Sequence, residues 1–419
     1  MARSVLPTLP APRWRSPLRG PRFTAVLGVV LLAGITVLFV TGLLSYAAYN
    51  PDLSPVNDKT PGKGILGFYL FSWPTDPSWL YRLTQGVHVT LGLTLIPVLL
   101  AKLWSVLPRL FTMPPARSLS HALERLSLLL LVGGALFQFT TGVLNVQLDY
   151  VFPGSFYPLH FYGAWVFFGA FLAHVALKTP VALRNLRGMR QHGGMREHEG
   201  EEAGDLVAPD PDPPTISRRG AFGLVGGASL LMFVTSAGRS FDGPLRQTAV
   251  LTPHGGPEPG TGPGGFQVNK TAAYAGIRPA ETSAEAWRLV VTGRSGTVRL
   301  TRADLLAMPL HSAALPIACV EGWSTSDQWW RGVRLRDLAA LVGEEEPTDV
   351  FVESLQRRGA FRKAALRANQ VADPRSLLAL FVNGEELTPD HGHPARIIVP
   401  AAPGVLNTKW VARLTFSDL

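Results

Sequence analysis

One cysteine, Cys319, stands in the stretch PIACVEGWSTSDQWW and is the only cysteine among 419 residues. A single thiol excludes a disulfide within the chain. It leaves a buried small side chain, a bridge to a second chain, or a thiolate that binds a metal. A soft thiolate suits a metal that is bound through sulfur. We therefore take Cys319 as the candidate catalytic residue and metal ligand.

Three histidines lie in or at the edge of apolar segments, where an ionisable side chain is costly and indicates a functional site. His88 lies in TQGVHVTLG, and His160 and His174 lie in LHFYGAWVFFGAFLAHVALK. On one helix the latter two differ by about 40° in direction and about 21 Å along the axis, so they share a face. Haem b needs two imidazoles on opposite sides of one iron. His88 with either His160 or His174 could supply them; proton-relaying or structural histidines remain the alternative.

The elements that must position these histidines are apolar segments without a charged residue, at 23–49, 83–101, 126–148 and 161–177. A weaker fifth segment covers 220–238. Each approaches or exceeds the roughly 20 apolar residues that span a bilayer. The sequence therefore predicts a membrane protein with a four-helix bundle and a fifth anchor helix.

Charge alternates between the connecting segments. The first 22 residues carry five arginines and no acid, and the loops after the first and third spans carry Asp52, Asp58, Asp76 and Asp149. This positive-inside pattern predicts a multi-pass protein of the plasma membrane, with a cytoplasmic N-terminus and the C-terminal domain on the outer side. It also accounts for the net charge of +9, so a nucleic-acid partner is not expected.

The chain divides by composition into six predicted parts. They are a basic cytoplasmic N-terminus (1–22), a four-helix membrane domain with haem b (23–183), a cytoplasmic linker (184–217), a fifth transmembrane helix (218–240), a Gly/Pro-rich linker (241–265) and an α+β domain (266–419). The pair Arg218-Arg219 resembles a twin-arginine export signal placed inside the chain. An ordinary cytoplasmic anchor for the fifth helix explains the same pair equally well.

In the last part, alternation at Leu289 and Val291 and at Val298 and Leu300 predicts two strands. RADLLAMP and GVRLRDLAALVG predict helices, and TDVFVESL, LLALFVNGEEL and ARIIVPA predict further strands. Asn383-Gly384 predicts a hairpin turn.

IACVEGWS, followed by NGEELTPDHGHPARIIVP and a Lys-Trp pair, resembles the molybdopterin-binding domain of the sulfite oxidase family over residues 266–419. The resemblance implies that Cys319 gives its thiolate to molybdenum, beside the dithiolene of molybdopterin. It further implies that His391, Arg396 and Lys409 hold the pterin and its phosphate, with Asn269 and Lys270 of FQVNKTA as additional contacts. The helix count and histidine placement over residues 20–185 resemble cytochrome b561-like and ferric-reductase-like membrane subunits.

The cysteine loop departs from sulfite oxidases proper, which have arginines just after the cysteine. Here Val320, Glu321 and Gly322 follow, and an acid beside the metal disfavours a dianion such as sulfite. The resemblance is closer to the periplasmic reductase branch. It implies that electrons pass between membrane quinone, haem b and molybdenum, to reduce an S- or N-oxide outside the membrane. The alternatives are a sulfite-oxidase-like oxidase that feeds electrons inward, and a haem-only electron carrier with a vestigial outer domain. We expect some of Glu321, Trp323 and Ser324 to line the substrate pocket.

Overall fold

Long stretches of apolar sequence form five long helices in the computed structural model. The structure describes residues 16–54, 56–57, 71–110, 119–146, 156–191, 213–241, 244–251, 266–346 and 348–419. The helices are α1 (Pro21–Ala48), α2 (Leu80–Leu110), α3 (Leu119–Asn145), α4 (Phe156–Gln191) and α5 (Arg218–Ala237). Each contains a segment that is long and apolar enough to cross a membrane.

Five of the six predicted parts extend beyond the described residues, and only the fifth helix (218–240) lies wholly within them. Residues 55, 58–70, 111–118 and 147–155 of the membrane domain and residue 347 lie outside the described residues. Residues 1–15 of the N-terminus, 192–212 of the first linker and most of the second linker, including 252–265, lie outside them. The first linker was expected to begin at residue 184, but α4 continues to Gln191. The sequence reaches a helix-breaking glycine pair only at Gly193 and Gly194, so nothing before that pair obliges the helix to end at 183.

The chain forms two compact units whose borders cut through the helices. The first unit comprises residues 1–39, 92–141 and 162–232, and the second comprises 40–91, 142–161 and 233–419. The second unit therefore contains terminal portions of all five long helices together with the whole C-terminal domain. Sequence composition predicts a border near residue 240, where the apolar content of the chain changes. The folded chain has no border there, because the residues on both sides of 240 belong to the second unit.

The first unit is held by aromatic packing and by bonds from basic side chains. Phe39 stacks on Phe168 with ring centres 3.6 Å apart. Lys102 Nζ donates to the Thr24 carbonyl at 2.6 Å. His174 lies in this unit and is half-buried.

The C-terminal domain of the second unit is built on two five-stranded sheets. Its strands are β1 (Leu289–Gly293), β2 (Gly296–Leu300), β3 (His311–Leu315), β4 (Gln328–Arg334), β5 (Val350–Ser354), β6 (Lys363–Leu366), β7 (Leu377–Val382), β8 (Glu385–Glu386), β9 (Arg396–Ile398) and β10 (Val411–Phe416). One sheet has the order β2-β1-β10-β5-β6, and only the β1–β10 pair is parallel. The other has the order β3-β4-β7-β8, with β9 also paired to β7.

Short helices connect these strands, and the buried apolar residues of the domain form two clusters. The helices are α6 (Ala272–Ala275), α7 (Pro279–Thr282), α8 (Arg302–Ala307), α9 (Leu335–Ala340) and α10 (Ala368–Ala372). The strand predictions for β1, β2, β5, β7 and β9 and the helix predictions for α8 and α9 are confirmed. Asn383 and Gly384 form the predicted turn between β7 and β8, both with positive φ (51° and 90°), as a two-residue hairpin loop requires.

The segment between α1 and α2 is bonded to the C-terminal domain within the second unit. Trp73 Nε1 donates to the Ala401 carbonyl at 2.7 Å, and Asn50 Nδ2 donates to Gln370 Oε1 at 2.9 Å. Asp76 pairs with Arg375 at 2.8 Å. Since two of these three bonds are buried, this segment and the domain form one packed body.

Candidate functional site

Cys319 lies in a tight loop between β3 and β4. Ala318 makes isolated bridges to Ser324 and to Pro403, so the loop is pinned on both sides. The Cys319 amide donates to the Trp323 carbonyl at 2.8 Å, and the Gly322 amide donates back to the Cys319 carbonyl at 3.1 Å. These bonds fix the backbone of Cys319 before any ligand binds.

The thiol of Cys319 is enclosed, with 4% of the residue exposed. Burial and the neighbouring Glu321 carboxyl raise its pKa well above the ordinary value, while the backbone amides of Val320 and Glu321 point toward the sulfur and lower it. Burial also raises the pKa of Glu321, whose Oε2 accepts from Trp323 Nε1 at 2.8 Å. A thiolate in this setting needs a cation beside it, which a bound metal supplies.

A cluster of basic side chains lies elsewhere in the same domain. Arg396 Nη1 donates to the His391 carbonyl at 3.0 Å, and Lys409 Nζ donates to the carbonyls of Lys270 and Asp390 at 2.9 and 2.8 Å. His391 Nε2 lies 3.2 Å from the Phe266 carbonyl oxygen. The structure therefore brings together His391, Arg396, Lys409 and Lys270, as the resemblance implies, but Asn269 is exposed.

This cluster concentrates positive charge in a dry place. Burial, followed by the charge of Arg396, lowers the pKa of His391 to about 4. Burial lowers the pKa of Arg396 to about 9, and that of Lys409 lies well below its usual range, from burial and then from Arg396. An anion bound here would relieve all three effects.

Buried polar atoms beside the basic cluster also indicate a site for an anion. Arg396 Nε, Asn407 Nδ2 and Thr408 Oγ1 are buried and make no hydrogen bond to any residue that the structure describes. Buried donors in native proteins are normally satisfied. The buried Arg396 and the half-buried Lys409, with unused N–H and O–H groups on Arg396, Asn407 and Thr408, fit a polar anionic group such as a pterin phosphate.

Comparisons with known proteins agree with this chemistry. Residues 275–419 match the model of the oxidoreductase molybdopterin binding domain. Residues 275–419 are a molybdopterin-binding oxidoreductase domain.

The domain is homologous to sulfite oxidases and nitrate reductases. The chain is 32% identical over 132 residues to an uncharacterised oxidoreductase, YuiH, of Bacillus subtilis, covering 31% of this chain and 65% of that protein. It is 30% identical over 158 residues to mitochondrial sulfite oxidase of Rattus norvegicus, covering 31% of this chain and 29% of that protein. It is 37% identical over 94 residues to a nitrate reductase of Hordeum vulgare, covering 20% of this chain and 10% of that protein.

The chain thus spans 65% of the length of one relative and 29% or less of the other two. The matches support an oxidoreductase that uses molybdopterin. Cys319, His391, Arg396 and Lys409 lie within the matched residues. The matched domain therefore contains the thiol and the basic side chains to which the resemblance gives the metal and the pterin. These matches lie in the C-terminal domain, so the resemblance of the helical region to cytochrome b561-like subunits stays a prediction.

His88 and His160 are brought together in the second unit. Their ring centres lie 6.2 Å apart, with the ring planes at 90°. Two imidazoles bound at about 2 Å on opposite sides of one metal place their ring centres about 6 Å apart. His88 Nδ1 lies 3.0 Å from Thr41 Oγ1, as a metal-ligating histidine bonds through its second nitrogen. The spacing of the pair therefore fits two ligands of one haem iron. His174, the other candidate, belongs to the first unit.

Two glycines let the backbone approach these imidazoles. A Cβ on Gly42 would stand 3.2 Å from His88 Cε1, and a Cβ on Gly142 would stand 3.3 Å from His160 Cε1. Both distances are tighter than ordinary van der Waals contact. A glycine therefore lies against the Cε1 atom of each imidazole. Because neither glycine has a side chain, each ring has room beside the neighbouring helix.

Sequence reasoning missed several residues near Cys319. Gln85 Nε2 donates to the Val320 carbonyl, and Tyr49, Trp73 and Tyr81 pack in one buried cluster with Ala318. Gln85 and the aromatics are far from Cys319 in sequence, and polar or aromatic residues near a membrane boundary are common enough to carry no signal of their own.

Arginines also reach the cysteine loop from outside the matched residues. Arg239 and Arg246 are 2% and 1% exposed. Arg246 Nη2 donates to the Ser324 carbonyl at 2.7 Å, and the Arg239 carbonyl accepts from the Ser324 amide at 3.3 Å. The loop that lacks arginine in its own sequence therefore has two arginines packed against it.

Proposed function

We propose that the protein is a membrane-bound molybdopterin oxidoreductase that passes electrons between membrane quinone, haem b and a molybdenum centre. In the leading version, electrons flow from quinol to molybdenum and reduce a neutral S- or N-oxide on the outer side of the plasma membrane. The oxidoreductase character rests on the matched domain; the haem, the quinone, the membrane and the substrate are the proposal.

One observation carries the proposed electron path. The His88–His160 pair and Cys319 belong to the same compact unit, and the pair has the spacing of two imidazoles around one iron. A haem ligand pair packed with a molybdenum ligand is what an enzyme needs when one centre must reduce the other. A haem-only carrier gives no reason for a buried thiol and a buried basic cluster in the same unit.

The membrane location is supported by helix composition and by charge. Five helices have the length and hydropathy of membrane spans, and the segment after α1 bonds to the C-terminal domain through Asp52 with Arg367 and Asp76 with Arg375. These aspartates belong to loops that the positive-inside pattern assigns to the outer side. The domain would then face outward, and α5, which begins at Arg218, would be its export anchor.

The reaction balances without a further reactant. Quinol gives up two electrons and two protons, and an S-oxide consumes them to give a sulfide and water. Bound molybdenum supplies oxygen-atom transfer in two-electron steps, and haem supplies one-electron transfer. Cys319 would bind the metal, while His391, Arg396 and Lys409 would hold the pterin phosphate and compensate its charge.

The residues beside Cys319 favour a neutral substrate. Val320 and Gly322 offer no charge, and Glu321 is buried and bonded to Trp323. Burial of a carboxyl disfavours its ionised form, but neither form attracts a dianion. A sulfoxide or amine oxide carries no net charge and meets no such penalty.

The second candidate is an oxidase that takes electrons from an oxyanion such as sulfite. Arg246, whose guanidinium donates to the Ser324 carbonyl at 2.7 Å, favours it, because guanidinium groups recognise oxyanions. The rat relative is named for sulfite oxidation and the barley relative for nitrate reduction, so the names allow either direction.

The test is composition followed by turnover of one detergent-purified preparation. We expect molybdenum and haem b in equal amounts, and haem that is reduced by duroquinol and reoxidised by dimethyl sulfoxide or trimethylamine N-oxide. Haem reduction by sulfite would favour the second candidate. Protein that contains molybdenum but no haem would refute the proposed electron path.

A further inference from the structure

One face of α2 forms a seat for the cysteine loop. Gln85 Nε2 donates to the Val320 carbonyl, and Gln85 is 7% exposed. One turn further, a Cβ on Gly322 would stand 2.6 Å from Val89 Cβ. Gly322 has a φ of +85°, so glycine there meets both the backbone conformation and the close approach. We call Gln85 and Val89 the α2 seat.

The end of α5 closes the seat from a second direction. Arg82 Nη2 donates to the Ser240 carbonyl at 2.8 Å, and Ser240 Oγ donates to the Gly322 carbonyl at 3.3 Å. Arg82, Gln85 and Val89 follow the i, i+3, i+7 spacing of one helix face. The cysteine loop is therefore held through the carbonyls of Val320 and Gly322.

The same helical turn carries one imidazole of the histidine pair. His88 lies three residues after Gln85, about 4.5 Å along the axis, and its ring meets His160. Both sites therefore share one rigid turn of α2. A shift of either site along the helix would move the other.

A single peptide group joins the α2 seat to the sulfur of Cys319. The carbonyl of the Val320–Glu321 peptide accepts from Gln85, and the amide of the same peptide points at Cys319 Sγ. Hydrogen bonds arranged in series polarise one another in a dry interior. Hydrogen bonds to a metal-bound sulfur in turn tune the redox potential of the metal.

We propose that Gln85 is a positioning residue that links the histidine pair to Cys319, so that electrons cross between haem and molybdenum through the α2 seat and the Val320–Glu321 peptide. The inference rests on the proposed function and adds the route. Two one-electron steps along it deliver the two electrons that one S-oxide consumes. Gln85 itself is neither oxidised nor reduced.

The test removes the hydrogen-bond donor of Gln85 and leaves the rest of α2 unchanged. Gln85→Leu removes the hydrogen bond, and Gln85→Met does so with an unbranched side chain of similar length, in case the first variant does not fold. The control is Thr84→Val, which is equally buried on α2. Among the residues that the structure describes, its hydroxyl bonds only the Tyr81 carbonyl of its own helix. Haem oxidation by dimethyl sulfoxide, or haem reduction by sulfite if the wild type performs that, is followed by stopped-flow absorbance.

We expect haem–substrate electron exchange to slow by about tenfold in the Gln85 variants, the effect of one lost buried hydrogen bond. Haem content, the haem spectrum and reduction by duroquinol should match wild type, because they depend on the histidine pair rather than on the cysteine loop. In full-length protein made without molybdate, amide hydrogen exchange at residues 319–322 should rise in Gln85→Leu and not in Thr84→Val.

The outcomes separate the inference from the proposed function. Wild-type protein without haem, or with haem that no substrate oxidises or reduces, would overturn the proposed function before any variant is made. Haem–substrate exchange at the wild-type rate in both Gln85 variants would overturn the route alone. Equal slowing in Thr84→Val would also overturn it, because the effect would then belong to general damage of α2.

Discussion

The pairing of His88 with His160 gives the sharpest test of the haem site. A ring-centre distance of 6.2 Å equals about twice the sum of an iron–nitrogen bond near 2 Å and the roughly 1.1 Å from that nitrogen to the ring centre. His160→Ala removes one of two axial bonds, so most of the haem should be lost. His174→Ala should leave the haem content near wild type.

A graded variant supplies the magnitude. Thr41 faces His88 Nδ1 at 3.0 Å, and loss of such an orienting partner costs about 10–100-fold in affinity for a ligated metal group. Thr41→Val should therefore weaken haem retention by that factor without removing a ligand.

The assay is haem b per protein by absorbance, on the three variants purified in parallel, with and without added imidazole. Imidazole should restore the two-histidine spectrum in His160→Ala, because it can occupy the space of the lost ring. Full haem and an unchanged spectrum in His160→Ala, with loss in His174→Ala, would refute the pairing drawn from the ring geometry.

Three further predictions concern the C-terminal domain. Cys319→Ser replaces a soft thiolate with a hydroxyl, so dye-driven turnover should vanish while the haem spectrum persists; residual wild-type turnover would exclude Cys319 as the metal ligand. The pKa of His391 is about 4 in the folded protein against an ordinary 6.5, so between these pH values the unfolded chain binds more protons than the folded chain. The free energy of unfolding of cofactor-free protein should therefore fall as pH drops from about 6.5 to 4, by up to about 3 kcal/mol. His391→Gln should flatten that dependence in unfolding measured at both pH values; an equal slope in the variant would place its origin elsewhere. Arg246→Gln should raise the KM for sulfite at least tenfold and leave that for dimethyl sulfoxide unchanged if the oxyanion candidate holds; no change for either substrate would make Arg246 structural.

Sequence patterns predicted strands with alternating or continuous apolar residues, but they did not separate β4 from the cysteine loop. β1 and β7 carry the alternating or continuous apolar runs that a half-buried or buried strand needs. β4 contains Trp329 and Trp330, which read as part of the cysteine loop. Trp329 is 55% exposed and Trp330 is fully buried. Two neighbouring tryptophans give no alternation of residue type, so only the structure separates the face that each one occupies.

The partner of His88 could not be chosen from the sequence for a different physical reason. Counting residues along untilted helices places His88 between His160 and His174 in depth, so the count selects neither as the partner. Close approach at Gly142 and the packing of the neighbouring aromatics decide which ring meets which, and neither has a periodicity to read. By contrast, the basic cluster lies in a compact motif near the end of the chain, where a resemblance fixes several positions together.

The aspartates of the loops connect sequence and structure most directly. Asp52 and Asp76 entered the positive-inside pattern only as charges outside the bilayer. In the structure each meets an arginine of the C-terminal domain, Arg367 and Arg375. A loop aspartate paired in this way bonds the loop after the first span to the domain. If the five helices cross a membrane as proposed, that loop and the domain must lie on one side of it, and the positive-inside pattern assigns the loop to the outer side.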